Sequence, residues 1–250
     1  MERDEYQRFA NLSFDDFRRM ALDGSLSNHE KIGFPDEYRD GKEQTIFGDI
    51  RSKLTSLNDR NKVVLDIGPG CSGLPLLLID LCRVNSHSLI LVDSQEMLSQ
   101  LPDSAGVRKI AGYYPRCAGL AEFHGKVDVI LTYSVLQYVF AESNVSDFLD
   151  QSLALLSPGG EMLIGDVPNI SKRKRFFSTP AGIRFHQDFM QTQDPPELIC
   201  NQIENRQIDD AVVFSLLQRA RQAGFDAYVV PQRPDLPMAN RREDILIRRP

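Results

Sequence analysis

Residues 63–73 read Val63-Val64-Leu65-Asp66-Ile67-Gly68-Pro69-Gly70-Cys71-Ser72-Gly73, a β-branched run opening into glycines spaced G-x-G-x-x-G. No other segment restricts the fold as much. Glycine at 68 and 70 lets the chain turn tightly and lets a ligand approach the main chain without a Cβ in the way. A buried strand should therefore end at Ile67, and a helix should begin near Gly73. The spacing gains weight from Asp93, which ends the next apolar run about 20 to 25 positions on, where a carboxylate can reach ribose hydroxyls.

Such a turn serves more than one ligand class, and Asp66, two residues before the first glycine, separates them. A carboxylate there would repel the pyrophosphate of NAD. It would suit S-adenosylmethionine (SAM), which carries an ammonium and a sulfonium and no phosphate. The competing role for Asp66 is to tie down the turn by accepting backbone N–H groups.

On these residues, segment 64–73 resembles the first motif of class I SAM-dependent methyltransferases, and later segments follow in that family's order. Leu89-Ile90-Leu91-Val92-Asp93-Ser94 resembles its second strand, and Val127-Asp128-Val129-Ile130-Leu131-Thr132-Tyr133-Ser134 its fourth. Leu156-Ser157-Pro158-Gly159-Gly160 resembles the turn before the fifth. The resemblance covers roughly residues 60–170. It implies an α/β, Rossmann-like fold: a seven-stranded, mostly parallel sheet with helices on both faces and the last strand antiparallel. It also implies SAM as cofactor and S-adenosyl-L-homocysteine as product. Carried over by position, Asp66, Gly68, Pro69, Gly70 and Gly73 would surround the methionine end of SAM. Asp93 and Ser94 would hold the ribose, Met97, Ala111 and Gly112 would adjoin the adenine, and Tyr133 and Ser134 would face the cofactor.

A further resemblance runs along the whole chain, in Ile32-Gly33-Phe34-Pro35, Tyr133-Ser134-Val135-Leu136-Gln137-Tyr138 and 164–172. These phrases are similar to those of bacterial methyltransferases associated with surface-polysaccharide biosynthesis, which implies a sugar or sugar-linked acceptor.

The remaining organisation is consistent with one methyltransferase domain of 250 residues. Helical spacing over 6–57, with Ser13 and Asp16 as a start signal and Gly33, Pro35 and Gly41 as breaks, predicts a helical N-terminal arm over 1–60. The arm has two readings: a lid over SAM, or a surface packed on a second copy in a homodimer. Strands are expected at 63–67, 89–92, 108–111, 127–131 and 162–165, alternating with helices in a SAM-binding core over 61–167. Segment 168–210, aromatic, basic and proline-containing, reads as a substrate-covering insertion. A helix at 211–223 and strands at 225–230 and 244–248 complete the chain over 211–250.

A net charge of −6 argues against a surface organised around nucleic acid or an anionic membrane. Four scattered cysteines, Cys71, Cys82, Cys117 and Cys200, form no zinc pattern, so no metal is expected and reduced thiols fit best. The charged N-terminus leads into no apolar signal core, and the apolar run 74–81 is too short to span a bilayer. A cytoplasmic location is the expectation.

Methyl transfer is an in-line displacement, so alignment supplies much of the rate, and a hydroxyl acceptor is helped by a nearby base. Asp166 and Tyr133, at the carboxyl ends of the fifth and fourth strands, and His186 in the insertion are the catalytic candidates. Lys172, Arg173 and Arg175, with Phe176 beside them, could hold a phosphate or carboxylate of a phosphorylated or nucleotide-linked acceptor. The same run would serve an RNA or other nucleic-acid methyltransferase, although 131–134 lacks the Asn- or Asp-Pro-Pro-aromatic sequence of base-methylating enzymes. A non-catalytic SAM-binding protein is the third reading. An NAD-dependent oxidoreductase is disfavoured by Asp66 and by the absence of a Tyr-x-x-x-Lys pair.

Overall fold

The computed structural model describes Phe9, residues 12–200, residue 202 and residues 204–250. Most of residues 1–11, where the predicted arm begins, lies outside the described residues.

Seven strands form one sheet: β1 (Val63–Ile67), β2 (Ser88–Asp93), β3 (Val107–Ala111), β4 (Val127–Tyr133), β5 (Leu156–Pro168), β6 (Asp226–Val230) and β7 (Arg242–Arg248). Their spatial order is β3-β2-β1-β4-β5-β7-β6. The first five run parallel, and β7 lies antiparallel between β5 and β6. This is the sheet expected from the sequence. Period-two alternation divides its side chains between two cores. Leu65, Ile67, Ile90, Ile130, Met162 and Ile245 face α8 (Val145–Leu155) and α11 (Asp210–Gln222). Val64, Leu89, Leu91, Val129, Leu163 and Leu246 face α4 (Glu43–Lys53) and α5 (Gly73–Asn85). Because both faces are covered, the strands read as continuous apolar runs.

The first helix of the arm among the described residues is α1 (Phe14–Leu22), started by the expected signal: Ser13 and Asp16 form a reciprocal capping box. Two single-turn helices follow, α2 (Asn28–Lys31) and α3 (Asp36–Arg39), separated by Gly33 at φ +81°. The fifth strand differs from expectation. It starts at Leu156, and the predicted turn at 156–160 is absorbed as an irregularity in its register with β4. Between β2 and β3 lies α6 (Gln95–Leu98), and α7 (Leu136–Glu142) follows β4. The segment expected to be an insertion holds α9 (Ile170–Phe177) and α10 (Pro180–Met190). No helix of the described residues is long and apolar enough to cross a membrane.

Candidate active site

Strand order reverses between β1 and β4, and in open α/β sheets ligands bind outside the carboxyl ends of strands at such a crevice. A cavity lies there, enclosing about 990 Å³ with its open mouth included. Its floor is the glycine turn, Gly68, Pro69 and Gly70. Both glycines are left-handed, at φ +71° and +66°. A Cβ on Gly68 would stand 2.6 Å from Val135, and one on Gly70 would stand 2.6 Å from Ile32, closer than atoms of this kind pack. Glycine is therefore required at 68 by the start of α7 and at 70 by the arm. The third glycine, Gly73, borders the Glu43 side chain and not the cavity.

Asp93 stitches the turn to β2. One carboxylate oxygen accepts from the Gly70 N–H at 3.1 Å and the other from the Ser94 N–H at 2.7 Å. Burial nevertheless outweighs those bonds and lifts Asp93 to about 6. Ser94 itself caps α6 by accepting from the Met97 N–H, and Met97 lines the cavity. Gly112 lines it as well, whereas Ala111 is exposed outside the wall.

Asp66 occupies the position that the motif gave it, but it is not among the lining residues. Its carboxyl is buried at 4% exposure, and among the described residues no hydrogen bond or cation reaches it. It does not tie down the turn: the glycine-turn amide held by a carboxylate, that of Gly70, is bonded to Asp93. Burial first, and the neighbouring Asp93 charge second, push Asp66 up to about 8. A lone buried acid beside a ligand cavity fits an incoming cation, and a left-handed glycine cradle fits a ligand pressed on the main chain. The residues present thus fit SAM.

The carboxyl ends of β4 and β5 are joined. Ser134 and Asp166 both adopt φ near +60°, at 61° and 58°, an uncommon conformation for non-glycine residues that is concentrated at functional sites. The Ser134 hydroxyl donates to Asp166 at 2.5 Å, and Arg39 donates to both, at 2.6 Å to Ser134 and 2.9 Å to Asp166. Arg242 donates to the same carboxylate oxygen at 2.6 Å, and Gln232 donates to the other at 3.3 Å. Burial would raise Asp166, but Arg242, Arg39 and Ser134 together hold it below the ordinary carboxylate range. Asp166 is an ionised, fully engaged anchor, which suits positioning better than proton abstraction. Tyr133 lines the cavity with its phenol raised well above its usual value by burial, so it stays protonated. Its ring lies where a Cβ on Gly165 would fall, 2.4 Å from the nearest ring carbon.

The insertion candidates are placed elsewhere. His186 stacks edge-on to Phe177 and does not line the cavity. Lys172 donates to the Arg242 carbonyl, Arg175 pairs with Asp210, and Phe176 packs on Phe177 and Phe185. Arg173 lies over Phe177.

The roof comes from the arm instead. Phe14, Phe17, Ile32, Phe34 and Arg39 all line the cavity. Phe17 meets the Tyr138 ring at 4.8 Å and Phe14 meets the Tyr113 ring at 4.9 Å. Arg18 reaches Glu96, and the Phe14 N–H donates to Glu142. Within this chain the arm covers the cavity. Arg39 had no motif to announce it; the phrase Ile32-Gly33-Phe34-Pro35 was the one sign that the arm carries site residues.

No family model matches the chain, and no curated protein matches it either. Solved structures do. Phosphoethanolamine N-methyltransferase 1 of Haemonchus contortus, in complex with phosphoethanolamine and S-adenosylhomocysteine, aligns at TM-score 0.57 and 13% identity over 98% of this chain and 48% of that one. CurJ carbon methyltransferase aligns at TM-score 0.52 and 15% identity over 93% and 63%, so this chain spans less than two thirds of either structure's length. A methyltransferase of Methanococcus maripaludis described as SAM-dependent aligns at TM-score 0.50 and 16% identity over 95% and 93%. The chain therefore has the Rossmann-like fold of class I SAM-dependent methyltransferases.

Proposed function

We propose that the protein is a SAM-dependent methyltransferase acting on a small-molecule acceptor. The observation that carries this reading is the unpartnered, buried Asp66 carboxyl beside a left-handed glycine cradle and the cavity above it. Gly68 and Gly70 would receive the methionine end of SAM, with Asp66 countering its ammonium. Asp93 would hold the ribose, and Met97 and Gly112 would flank the adenine. SAM supplies a methyl on a sulfonium, and the sulfur leaves with the bonding pair as neutral S-adenosyl-L-homocysteine.

The contribution of the chain is alignment and exclusion of water. Tyr133 and Ser134 end β4 at the cavity, and the arm's Phe14, Phe17 and Phe34 cover it. With both Asp166 oxygens engaged, the acceptor would be oriented against Tyr133 and Arg39 more than deprotonated by Asp166. The finer reading of the acceptor, a hydroxyl of a sugar or sugar-linked metabolite, is supported by the whole-chain resemblance noted in the sequence. A homodimer and a cytoplasmic setting belong to the same proposal.

Asp93→Asn tests the cofactor assignment. The amide preserves shape and an acceptor for the Gly70 N–H but removes the charge from the ribose contacts. S-adenosylhomocysteine affinity by calorimetry is expected to fall about tenfold, the worth of roughly one charge-assisted hydrogen bond. Unchanged affinity in the folded variant would remove the ribose role, and binding of NAD in place of S-adenosylhomocysteine would overturn the cofactor reading.

A further inference from the structure

The cations around the acceptor side of the site are unequally committed. Arg39 and Arg242 share Asp166, and Lys53 is held between Asp49 and Asp244. Lys174 pairs with Glu204, and Arg175 pairs with Asp210. Glu243 accepts from the Asn169 amide at 2.6 Å. Two guanidiniums in this group have no carboxylate partner among the described residues: Arg173, on α9, and Arg241, just before β7.

Both lie over the same cluster of aromatic rings. Arg173 lies 5.5 Å over the Phe177 ring and Arg241 5.5 Å over the Phe185 ring, and those rings are 6.1 Å apart. Arg241 is half-buried, and burial, then the charges of Arg242 and Arg173, make its own charge costly. A hydrogen bond to Tyr38 and a long one of 3.3 Å to Asn240 are what it receives in return. Guanidiniums seated on aromatic faces, pre-ordered and lacking a carboxylate, form the kind of fork that recognises an oxyanion.

The pair is also connected to the reacting end. Tyr38, the partner of Arg241, borders a second, small hollow with Met238, Pro237 and Asp166. That hollow shares Phe34, Arg39 and Tyr133 with the cofactor cavity. Arg241 is thus linked through Tyr38 to the wall that Tyr133 shares with the cofactor cavity.

We propose that Arg241 and Arg173 bind an oxyanion, a phosphate or a carboxylate, on the methyl acceptor, at the end remote from the atom that is methylated. This rests on the methyltransferase reading and relocates the basic anchor: Lys172 and Arg175 are committed within the fold, and Arg241 takes their place.

The full-length protein, saturated with S-adenosylhomocysteine, is titrated with inorganic phosphate and separately with acetate at constant ionic strength, and binding is followed by calorimetry and thermal shift. Saturable binding of at least one anion is expected, weakened about tenfold in Arg241→Met and in Arg173→Gln. Affinity for S-adenosylhomocysteine should be unchanged in both variants. The exposed Arg173 keeps the test decisive should Arg241→Met fold poorly. Tighter phosphate would identify a phosphorylated acceptor, and tighter acetate an acidic one. No saturable binding of either anion, or binding indifferent to both substitutions, would overturn the proposal. Failure of S-adenosylhomocysteine itself to bind the wild-type protein would instead overturn the cofactor reading beneath it.

Discussion

Asp166→Ala is expected to lower folding stability by about 3–5 kcal/mol, because it strands two buried or half-buried guanidiniums on a site built for one carboxylate. For a chain of this size that corresponds to roughly 6–20 °C in Tm. Arg39 and Arg242 reach the same Asp166 oxygen, and the Arg39 guanidinium is also sandwiched 4.1 Å over Phe34 and 5.5 Å over Tyr133. Neither arginine can swing to solvent without unpacking the arm. The Asp166 backbone N–H donates to Asp244, so the main chain there is held independently of the side chain. The loss should therefore be electrostatic.

Two controls separate that cause from cavity formation. Arg242→Met added to Asp166→Ala should recover part of the loss, since it removes one stranded charge; additive destabilisation would count against the account. The pH dependence supplies the second. Asp166 is depressed in the folded state, so its stabilisation is fully present above the unfolded carboxylate value near 3.9 and is lost as pH falls through the folded value. Wild type and variant should converge in stability at acid pH. A gap that stays constant down to pH 3 would show that packing, not charge, was removed.

That cluster also marks where the sequence stops being legible. The seven-stranded sheet with its antiparallel last strand followed from the family resemblance, whereas β1, the glycine turn and Asp93 could be read because each is local: an apolar run, a turn residue and a spacing. Ser13 and Asp16 announced α1 for the same reason. The partnership of Arg39 with Ser134 and Asp166 joins residues 95 and 127 positions apart, and no periodicity encodes it. The basic run 172–175 was visible as charge, but its use depends on Asp210, Glu204 and the Arg242 carbonyl, all distant in sequence. His186 was singled out for its residue type, yet α10 turns it against Phe177. Conversely, Ile32 and Phe34 enter the site because the left-handed Gly33 turns the arm back over the glycine loop.

Affinity for S-adenosylhomocysteine is expected to rise roughly twenty-fold between pH 6 and pH 8 and to fall again above pH 8, with proton release on binding in the lower part of that range. In the free protein burial and Asp93 raise Asp66 to about 8, so at pH 6 only about one molecule in a hundred presents the carboxylate that the ligand's ammonium requires. By pH 8 about half do, while the ammonium, an α-amino group with a pKa near 7.7–8.0, has begun to lose its own proton. Among the described residues the groups facing Asp66 are Asp93 and the Cys82 thiol, whose own value is pushed up to about 12, and none of them is a cation that would ionise Asp66 before the ligand arrives. Folding should respond with the opposite sign. A carboxyl raised in the native state holds a proton that the unfolded chain releases, so the ligand-free protein loses stability as pH climbs from about 4 to 8. Asp66→Asn should therefore stabilise the free protein at pH 8, where Asp166→Ala destabilises it, and should abolish the rise in binding between pH 6 and pH 8. Steep pH dependence surviving in Asp66→Asn would transfer the linkage to Asp93, and a flat profile in the wild type would mean that Asp66 does not meet the ligand's charge.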